Sequence, residues 1–156
     1  MTDVTFHPLP TAIVVMLRAG GPDANRLPAE KAVSEGTGMP CRHCLNNIPD
    51  GAAMLILAHR PFATRQPYAE AGPIFLCARS CEAHTGTDLP PILRTSAGYL
   101  LKGYTVDERI RYGTGKIVPP EDIKAYAASL LDATDSAFVD MRLARNNCFM
   151  TRITAA

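Results

Sequence analysis

Pro40-Cys41-Arg42-His43-Cys44 carries two thiols separated by two residues, and Cys77 and Cys81 follow at the end of an apolar run. A Cys-x2-Cys turn can present two thiolates to one tetrahedral ion, at about 2.3 Å each, and a pair from a distant segment closes the site. Zinc suits thiolate ligands and brings no redox chemistry of its own. The spacing therefore predicts a structural zinc site with four thiolate ligands: Cys41, Cys44, Cys77 and Cys81.

The ligand set of this predicted site has alternatives. His43 and His84 lie beside the two cysteine pairs and are spare candidate ligands. Many knuckle turns carry glycine directly after the second cysteine, whereas this chain has Leu45 there. A cysteine at the end of a strand, such as Cys77, can also pack in the core as a small apolar residue. A metal-free fold whose cysteines only pack is therefore kept as an alternative.

A redox role for Cys41 and Cys44 is the weaker interpretation of the same pair. A thioredoxin-like pair sits at the start of a helix that follows a strand, where the helix dipole lowers the thiol pKa. Here a loop rich in glycine and proline precedes the pair, and Ile48-Pro49 leaves no room for a helix after it. The context favours metal binding over redox chemistry.

Two apolar runs lie between the cysteine pairs. Ala52–Ala58 and Pro73–Ala78 each have the length of a buried strand, and residues 59–72 form the loop between them. Neighbouring strands joined by a loop most simply pair antiparallel. In such a pair the start of the first strand lies beside the end of the second, so Cys77 and Cys81 are expected near the chain that precedes Ala52.

The remaining pattern alternates short strands with one or two helices, which predicts an α+β fold with a mainly antiparallel sheet in a single domain, residues 1–156. A helix is expected over Pro10–Ala19, with the apolar face of Leu9, Ile13, Met16 and Leu17, and the β-branched run of residues 13–15 favours a strand as the alternative. The other predicted elements are a strand in Val4–Leu9, a short strand near Lys31–Val33 in the loop of residues 20–40, a hairpin of residues 99–105 and 109–118, and strands Ala137–Arg145 and Cys148–Ile153 around Asn146-Asn147. A second helix is predicted to start at Pro119-Pro120 and run up to Leu131, with an apolar face made of Ile123, Tyr126, Ala127, Leu130 and Leu131.

Charge and cysteine usage limit the classes of partner and location. The chain of 156 residues has 16 basic and 15 acidic residues, so it lacks the basic excess of a nucleic-acid or membrane-surface protein. The apolar run Ala12–Leu17 is too short for a signal peptide or a membrane span. Five cysteines, an odd number, do not suggest a disulfide scaffold. We expect a cytoplasmic protein with reduced thiols, no nucleic-acid partner and no membrane, and the sequence identifies no specific partner.

Cys148 offers a second kind of chemistry. If Asn146-Asn147 is a two-residue turn, Arg145 and Cys148 face each other across it, and a guanidinium beside a thiol favours the thiolate. Cys148 is then a candidate catalytic nucleophile, with Arg145 as its activator and His59 or another histidine as base. The alternative is a packed, inert thiol beside a surface arginine.

The loop of residues 59–72 carries the candidate recognition residues. Arg60 and Arg65 can hold a carboxylate or phosphate, and Tyr68 lies in the same loop. Loops on a rigid scaffold commonly carry binding residues. The alternative is a solvated loop in which Phe62 and Tyr68 pack on the sheet as a lid.

Five short motifs spread over nearly the full chain form a recognisable set: Pro40-Cys41-Arg42-His43-Cys44, Arg60-Pro61-Phe62, Pro67-Tyr68-Ala69-Glu70, Gly72-Pro73-Ile74-Phe75-Leu76 and Ala144-Arg145-Asn146-Asn147-Cys148-Phe149. Together they resemble the bacterial domain-of-unknown-function family 1203. This resemblance implies a bacterial source and no established activity, and the family usually has a histidine at the position of Cys77, which can also ligate zinc. With it we expect a binding or interaction module with a structural zinc site, and a thiol enzyme that uses Cys148 or a metal-free fold as alternatives.

Overall fold

The computed structural model describes residues 2–156, so Met1 of the predicted domain lies outside the described residues. Two antiparallel sheets and two α-helices make up an α+β fold, as predicted. Within the described residues neither helix has the length and apolar content needed to cross a membrane. The elements are β1 (Val4–His7), α1 (Thr11–Arg18), β2 (Glu30–Val33), β3 (Ala53–His59), β4 (Gly72–Cys77), β5 (Tyr99–Tyr104), β6 (Lys116–Val118), α2 (Ile123–Ala133), β7 (Phe138–Leu143) and β8 (Phe149–Ala155), with 3-10 turns at Pro91–Leu93 and Pro120–Asp122.

The larger sheet has the strand order β1-β8-β7-β5-β6 and packs against α2. The helix begins after Pro119 and Pro120, whose fixed φ suits a helix start. Its predicted apolar face is confirmed: Ile123, Ala127 and Leu130 are buried, while Tyr126 and Leu131 are partly buried against the same core. This core is the larger of the hydrophobic clusters in the described chain.

The smaller sheet has the order β2-β3-β4 and forms a second core with α1. The predicted antiparallel pairing of the two apolar runs is confirmed, with Met54 opposite Cys77 and Ala58 opposite Pro73. The short strand expected near Lys31 is β2, which pairs with β3 on the side away from β4. The pairing places the end of β4 beside the start of β3, where the metal site was expected.

The predicted apolar face of α1 is wrong in part. Ile13 and Met16 are 42 % and 37 % exposed, whereas Val14 and Leu17 are buried. Val14 and Leu17 lie three residues apart and so share one helical face, which packs into the second core. Because residues 12–17 are all apolar, their sequence pattern does not distinguish this face from the predicted one.

Two turns also differ from the predicted ones. The strand expected over residues 109–118 is reduced to β6, because Gly113 has a φ of 89° and the chain turns there. In the last hairpin the Leu143 N–H donates to the Cys148 carbonyl oxygen at 2.9 Å, so a four-residue loop, residues 144–147, replaces the two-residue turn. Arg145 therefore does not face Cys148 across a two-residue turn.

Candidate metal centre

The segment from Pro40 to Asn47 forms a compact knuckle. The Cys41 N–H donates to the Asn46 carbonyl oxygen at 3.0 Å, and the Leu45 N–H donates to the Cys41 carbonyl oxygen at 3.0 Å. An isolated antiparallel bridge joins Pro40 to Asn47. These backbone bonds bring the two ends of the Cys-x2-Cys turn together and aim both side chains to one side.

Leu45 stands where many knuckle turns have glycine, and it adopts the conformation for which glycine is suited. Its φ is 57°, in the left-handed region that costs a non-glycine residue roughly 1–2 kcal/mol. Its side chain is 0 % exposed and packs in the larger core, and its carbonyl oxygen accepts a hydrogen bond from Ile92 N–H at 3.2 Å. Burial of the leucine holds the turn in this shape, so leucine here is compatible with a knuckle.

The knuckle is attached to the end of β4. The Arg42 N–H donates to the Phe75 carbonyl oxygen at 3.1 Å, and Cys41 bridges Phe75 in parallel orientation. Cys77 is the last residue of β4, and Cys81 follows after a short bend. The two cysteine pairs, which have 32 residues between them in sequence, are thus brought together by the knuckle and the β3–β4 hairpin.

All four predicted ligand atoms lie in one cluster. The Sγ atoms of Cys41, Cys44, Cys77 and Cys81 are within 4.8 Å of one another. The Cys41–Cys81 and Cys44–Cys77 Sγ separations are each 4.0 Å. A tetrahedral ion with metal–sulfur bonds of about 2.3 Å requires sulfur atoms about 3.8 Å apart. The cluster therefore has nearly the dimensions of a single four-coordinate ion.

Backbone and side-chain donors surround the sulfur atoms. The N–H groups of His43 and Cys77 approach Cys41 Sγ at 3.4 and 3.3 Å. Arg18 of α1 donates from Nη2 to Cys81 Sγ at 3.1 Å and from Nε to the Cys77 carbonyl oxygen at 3.0 Å. Donors placed in this way stabilise thiolates, which are the form of cysteine that binds metals.

The two spare histidines differ from the cysteines in position. His43 Nδ1 is 3.1 Å from Cys81 Sγ, and its Nε2 is 2.9 Å from Thr11 Oγ1. With Nδ1 protonated, His43 donates to the sulfur and accepts from the threonine, as an outer partner that orients a ligand. His84 is held by its N–H to the His43 carbonyl oxygen at 3.0 Å, and its ring is not part of the four-atom cluster.

The thiols of Cys41, Cys44 and Cys77 shift one another's pKa through the hydrogen bonds between them. The pKa of Cys41 is lowered because Cys44 and Cys77 donate to its sulfur, followed by backbone N–H groups. The pKa of Cys44 is raised to about 12, first because its proton is held by Cys41, and the pKa of Cys77 is raised for the same reason. One thiolate thus forms at the expense of its neighbours, and a divalent cation would remove this competition by binding all four sulfurs.

Cys148 lies outside the cluster, in a cavity of about 200 Å³ that His59 also lines. Burial first, and then the charges of Arg42 and Arg152, lower the pKa of His59 to about 4, so at neutral pH its ring is neutral and weakly basic. A base with a pKa so far below the working pH is poorly suited to deprotonate a thiol. Arg145 is exposed on the adjacent loop. Catalysis by Cys148 and Arg145 stays a prediction.

The predicted recognition residues do not share one set of contacts. Arg60 lines a groove with Ile13 and Phe62, next to α1. The Tyr68 hydroxyl is 3.0 Å from the Tyr112 hydroxyl, and the Arg109 guanidinium lies over the Tyr68 ring. Arg65 is exposed. The expected lid is partly observed, since Phe62 packs in a small buried cluster.

The sequence pattern did not indicate two arginines that lie beside the four-thiol cluster. Arg18 lies in α1, 63 residues before Cys81, and nothing in a local pattern connects a helix end to a distant strand end. Arg42 is 3 % exposed and donates to the carbonyl oxygens of Phe149 and Pro40 at 2.8 and 2.7 Å. Its place between the two cysteines was visible in the sequence, but an arginine in a turn is normally expected in solvent.

A comparison with models of protein families gives a match. A family model described as "Protein of unknown function (DUF1203)" matches residues 38–155. This range includes the knuckle and both cysteine pairs, but it begins after α1 and β2. No curated protein and no solved structure matches the chain at a significant level.

Proposed function

Because the chain belongs to the DUF1203 family, whose description assigns no activity, we propose its function from its site: a zinc-binding protein that serves as a binding or interaction module. The observation that supports this proposal is the approach of four Sγ atoms to within 4.8 Å of one another. Thiolates in a tetrahedral set select zinc or iron, and zinc suits a site that needs no redox chemistry.

The zinc in this proposal is structural. Four protein ligands complete a tetrahedral shell, whereas a catalytic zinc keeps one position open for water or substrate. The surrounding contacts support the same role. The ligands come from the knuckle and from the chain at the end of β4, and the hydrogen bond from Arg18 to Cys81 Sγ connects α1 to the cluster. A bound ion would therefore fix three separate segments of the chain to one another.

The knuckle also joins the two cores of the protein. Leu45 packs in the core of the larger sheet, while Cys41 and Ile48 pack in the core of the smaller sheet. Loss of the ion would leave Cys41, Cys44 and Cys77 in competition for protons at this junction, so metal binding would stabilise the contact between the sheets. The recognition surface in this proposal is the loop that carries Arg60, Arg65 and Tyr68.

The first test is elemental analysis of the wild-type protein, purified without chelator and at known concentration. We expect about one zinc per chain, as a closed four-ligand site requires. Cys44→Ser should lower both the zinc content and the stability, the latter by several kcal/mol, since metal binding to such a site contributes directly to folding. Cys148→Ser is the matched control because Cys148 is the one cysteine outside the cluster.

Each result has a distinct meaning for the proposal. Iron in place of zinc would retain the metal site but refute the assignment of the ion. Absence of metal from the wild-type protein, with Cys44→Ser as stable as Cys148→Ser, would refute metal binding and favour the metal-free alternative. Thiol titration gives an independent check: we expect one reactive thiol, Cys148, in the metal-loaded protein and all five after chelation and unfolding.

A further inference from the structure

Arg142 is a buried charge whose guanidinium is incompletely paired. It lies on β7, is 6 % exposed, and its Nη1 donates to the Asn147 carbonyl oxygen at 3.1 Å. Its Nε is buried and has no hydrogen-bond partner within residues 2–156. A buried charge without a partner is costly, and a buried donor without an acceptor adds to that cost.

Lys102 and the buried carboxylate of Asp140 both lie within electrostatic range of Arg142, and Asp140 is hydrogen-bonded to Arg152. Neither Arg42 nor Arg142 forms an ion pair with a carboxylate among the described residues. Arg152 is also near, but Asp140 compensates its charge through two hydrogen bonds of 2.7 and 2.9 Å. The depressed pKa of His59, caused by burial and then by Arg42 and Arg152, is an independent sign that this region disfavours further positive charge.

Arg142 lines a cavity that can admit a small ligand. The cavity measures about 200 Å³ and lies between the β7–β8 loop and the start of β4. Cys148 and His59 contribute to its wall, together with the exposed loop residues Asn146 and Asn147. Glu70 also lines the cavity, but it is exposed and hydrated, so its carboxylate compensates the buried charge only weakly.

We propose that this cavity is a binding site for a small oxyanion, a carboxylate or phosphate group, held by Arg142 with Cys148 beside it. Arg142 lines the cavity, and a guanidinium is suited to charge-assisted hydrogen bonds to such a group. Asn146 and Asn147 line the cavity as well, and each carries a side-chain amide. The site is separate from the four-thiol cluster, so this inference does not depend on the metal, although the knuckle that carries Arg42 forms the region behind it.

Cys148 provides a reporter for the proposed site. Iodoacetate and iodoacetamide both alkylate a thiolate by displacement of iodide, but only iodoacetate carries a carboxylate. We expect the ratio of iodoacetate to iodoacetamide rates at Cys148 to exceed that of the neutral thiol N-acetylcysteinamide by about tenfold, equivalent to ~1.4 kcal/mol of attraction. Peptide mapping of the metal-loaded wild-type protein identifies the alkylated cysteine.

Competition in the wild-type protein identifies the ligand chemistry. Inorganic phosphate and acetate are added separately, with chloride at matched ionic strength as control. Protection of Cys148 by phosphate alone assigns a phosphate site, and protection by acetate assigns a carboxylate site. A rate ratio equal to that of the model thiol, without protection by either anion, would overturn the proposal.

Two variants assign the effect to one arginine. Arg142→Gln should abolish the preference for iodoacetate, whereas Arg145→Gln should retain it, because Arg145 is exposed on the same loop. Loss of the preference in Arg145→Gln alone would overturn the role of Arg142 and restore Arg145 as the residue that acts on Cys148. If Arg142→Gln does not fold, the protection measurements in the wild-type protein still decide whether an oxyanion binds.

Discussion

Substitution of Leu45 tests directly how the knuckle is stabilised, because backbone strain and side-chain burial act in opposite directions at this residue. Its φ of 57° costs a non-glycine residue roughly 1–2 kcal/mol. Its side chain is fully buried, and truncation of a buried leucine to alanine costs about 2–5 kcal/mol. Burial is the larger effect, which explains how leucine is accommodated in a left-handed turn.

Two substitutions separate these effects. Leu45→Ala removes the buried side chain but keeps the strained φ, so we expect the free energy of unfolding to fall by about 2–5 kcal/mol. Leu45→Gly removes the side chain and relieves the strain, so its loss should be smaller by about 1–2 kcal/mol. The expected order of stability is wild type, then Leu45→Gly, then Leu45→Ala.

Urea denaturation of the metal-loaded proteins measures this order, with the metal content of each variant checked first. Leu57 is the matched control, because it is buried in the interior of β3, where the chain is extended. At Leu57 the glycine variant should be less stable than the alanine variant by roughly 0.5–1 kcal/mol, the reverse of the order at Leu45. If Leu45→Gly proves less stable than Leu45→Ala, the strain argument fails; if it exceeds the wild type, the burial argument fails.

Two further predictions concern groups near the sites. The folded-state pKa of His59 is depressed to about 4, so the unfolded chain binds more protons than the folded chain between about pH 6.5 and pH 4. Stability therefore decreases as the pH is lowered through that window. Between pH 7.5 and 5.5 the loss is about 1 kcal/mol, which His59→Gln should abolish in urea titrations; parallel curves would contradict it. Arg18→Gln should weaken metal binding roughly 10–100-fold in chelator competition, because Arg18 donates to Cys81 Sγ, whereas the exposed Arg26→Gln should not. Equal affinities for the two variants would show that Arg18 does not support the ion.

The features predicted correctly from the sequence are those fixed by local pattern. The hairpin of β3 and β4 follows from two apolar runs of strand length, and the apolar face of α2 follows from its period. The approach of the two cysteine pairs could be derived from the hairpin alone, because strand pairing determines which chain ends meet. That step needed no knowledge of side-chain positions.

The features that sequence analysis missed depend on contacts between distant segments or on turn geometry. Residues 12–17 are all apolar, so only packing against the smaller sheet selects Val14 and Leu17 as the buried face of α1. The last hairpin closes between Leu143 and Cys148, because Asn147 takes a left-handed φ of 59° at the end of a four-residue loop. An Asn-Asn pair is compatible with both loop lengths, so the sequence did not decide between them.

The arginines near the two sites differ in how their positive charges are compensated. Four thiolates and one zinc ion formally carry two negative charges, and Arg18 and Arg42 flank the cluster with two positive charges. Burial lowers the pKa of Arg42 to about 10, and the charges of Cys148 and then of Cys41 act against this shift. A metal-loaded knuckle would therefore compensate Arg42, although no carboxylate pairs with it in the described chain. Asp140 is close enough for its charge to act on Arg142, but its hydrogen bonds go to Arg152. Arg142 therefore keeps a buried N–H without a partner, and this is the physical reason to expect an anion in the cavity that it lines.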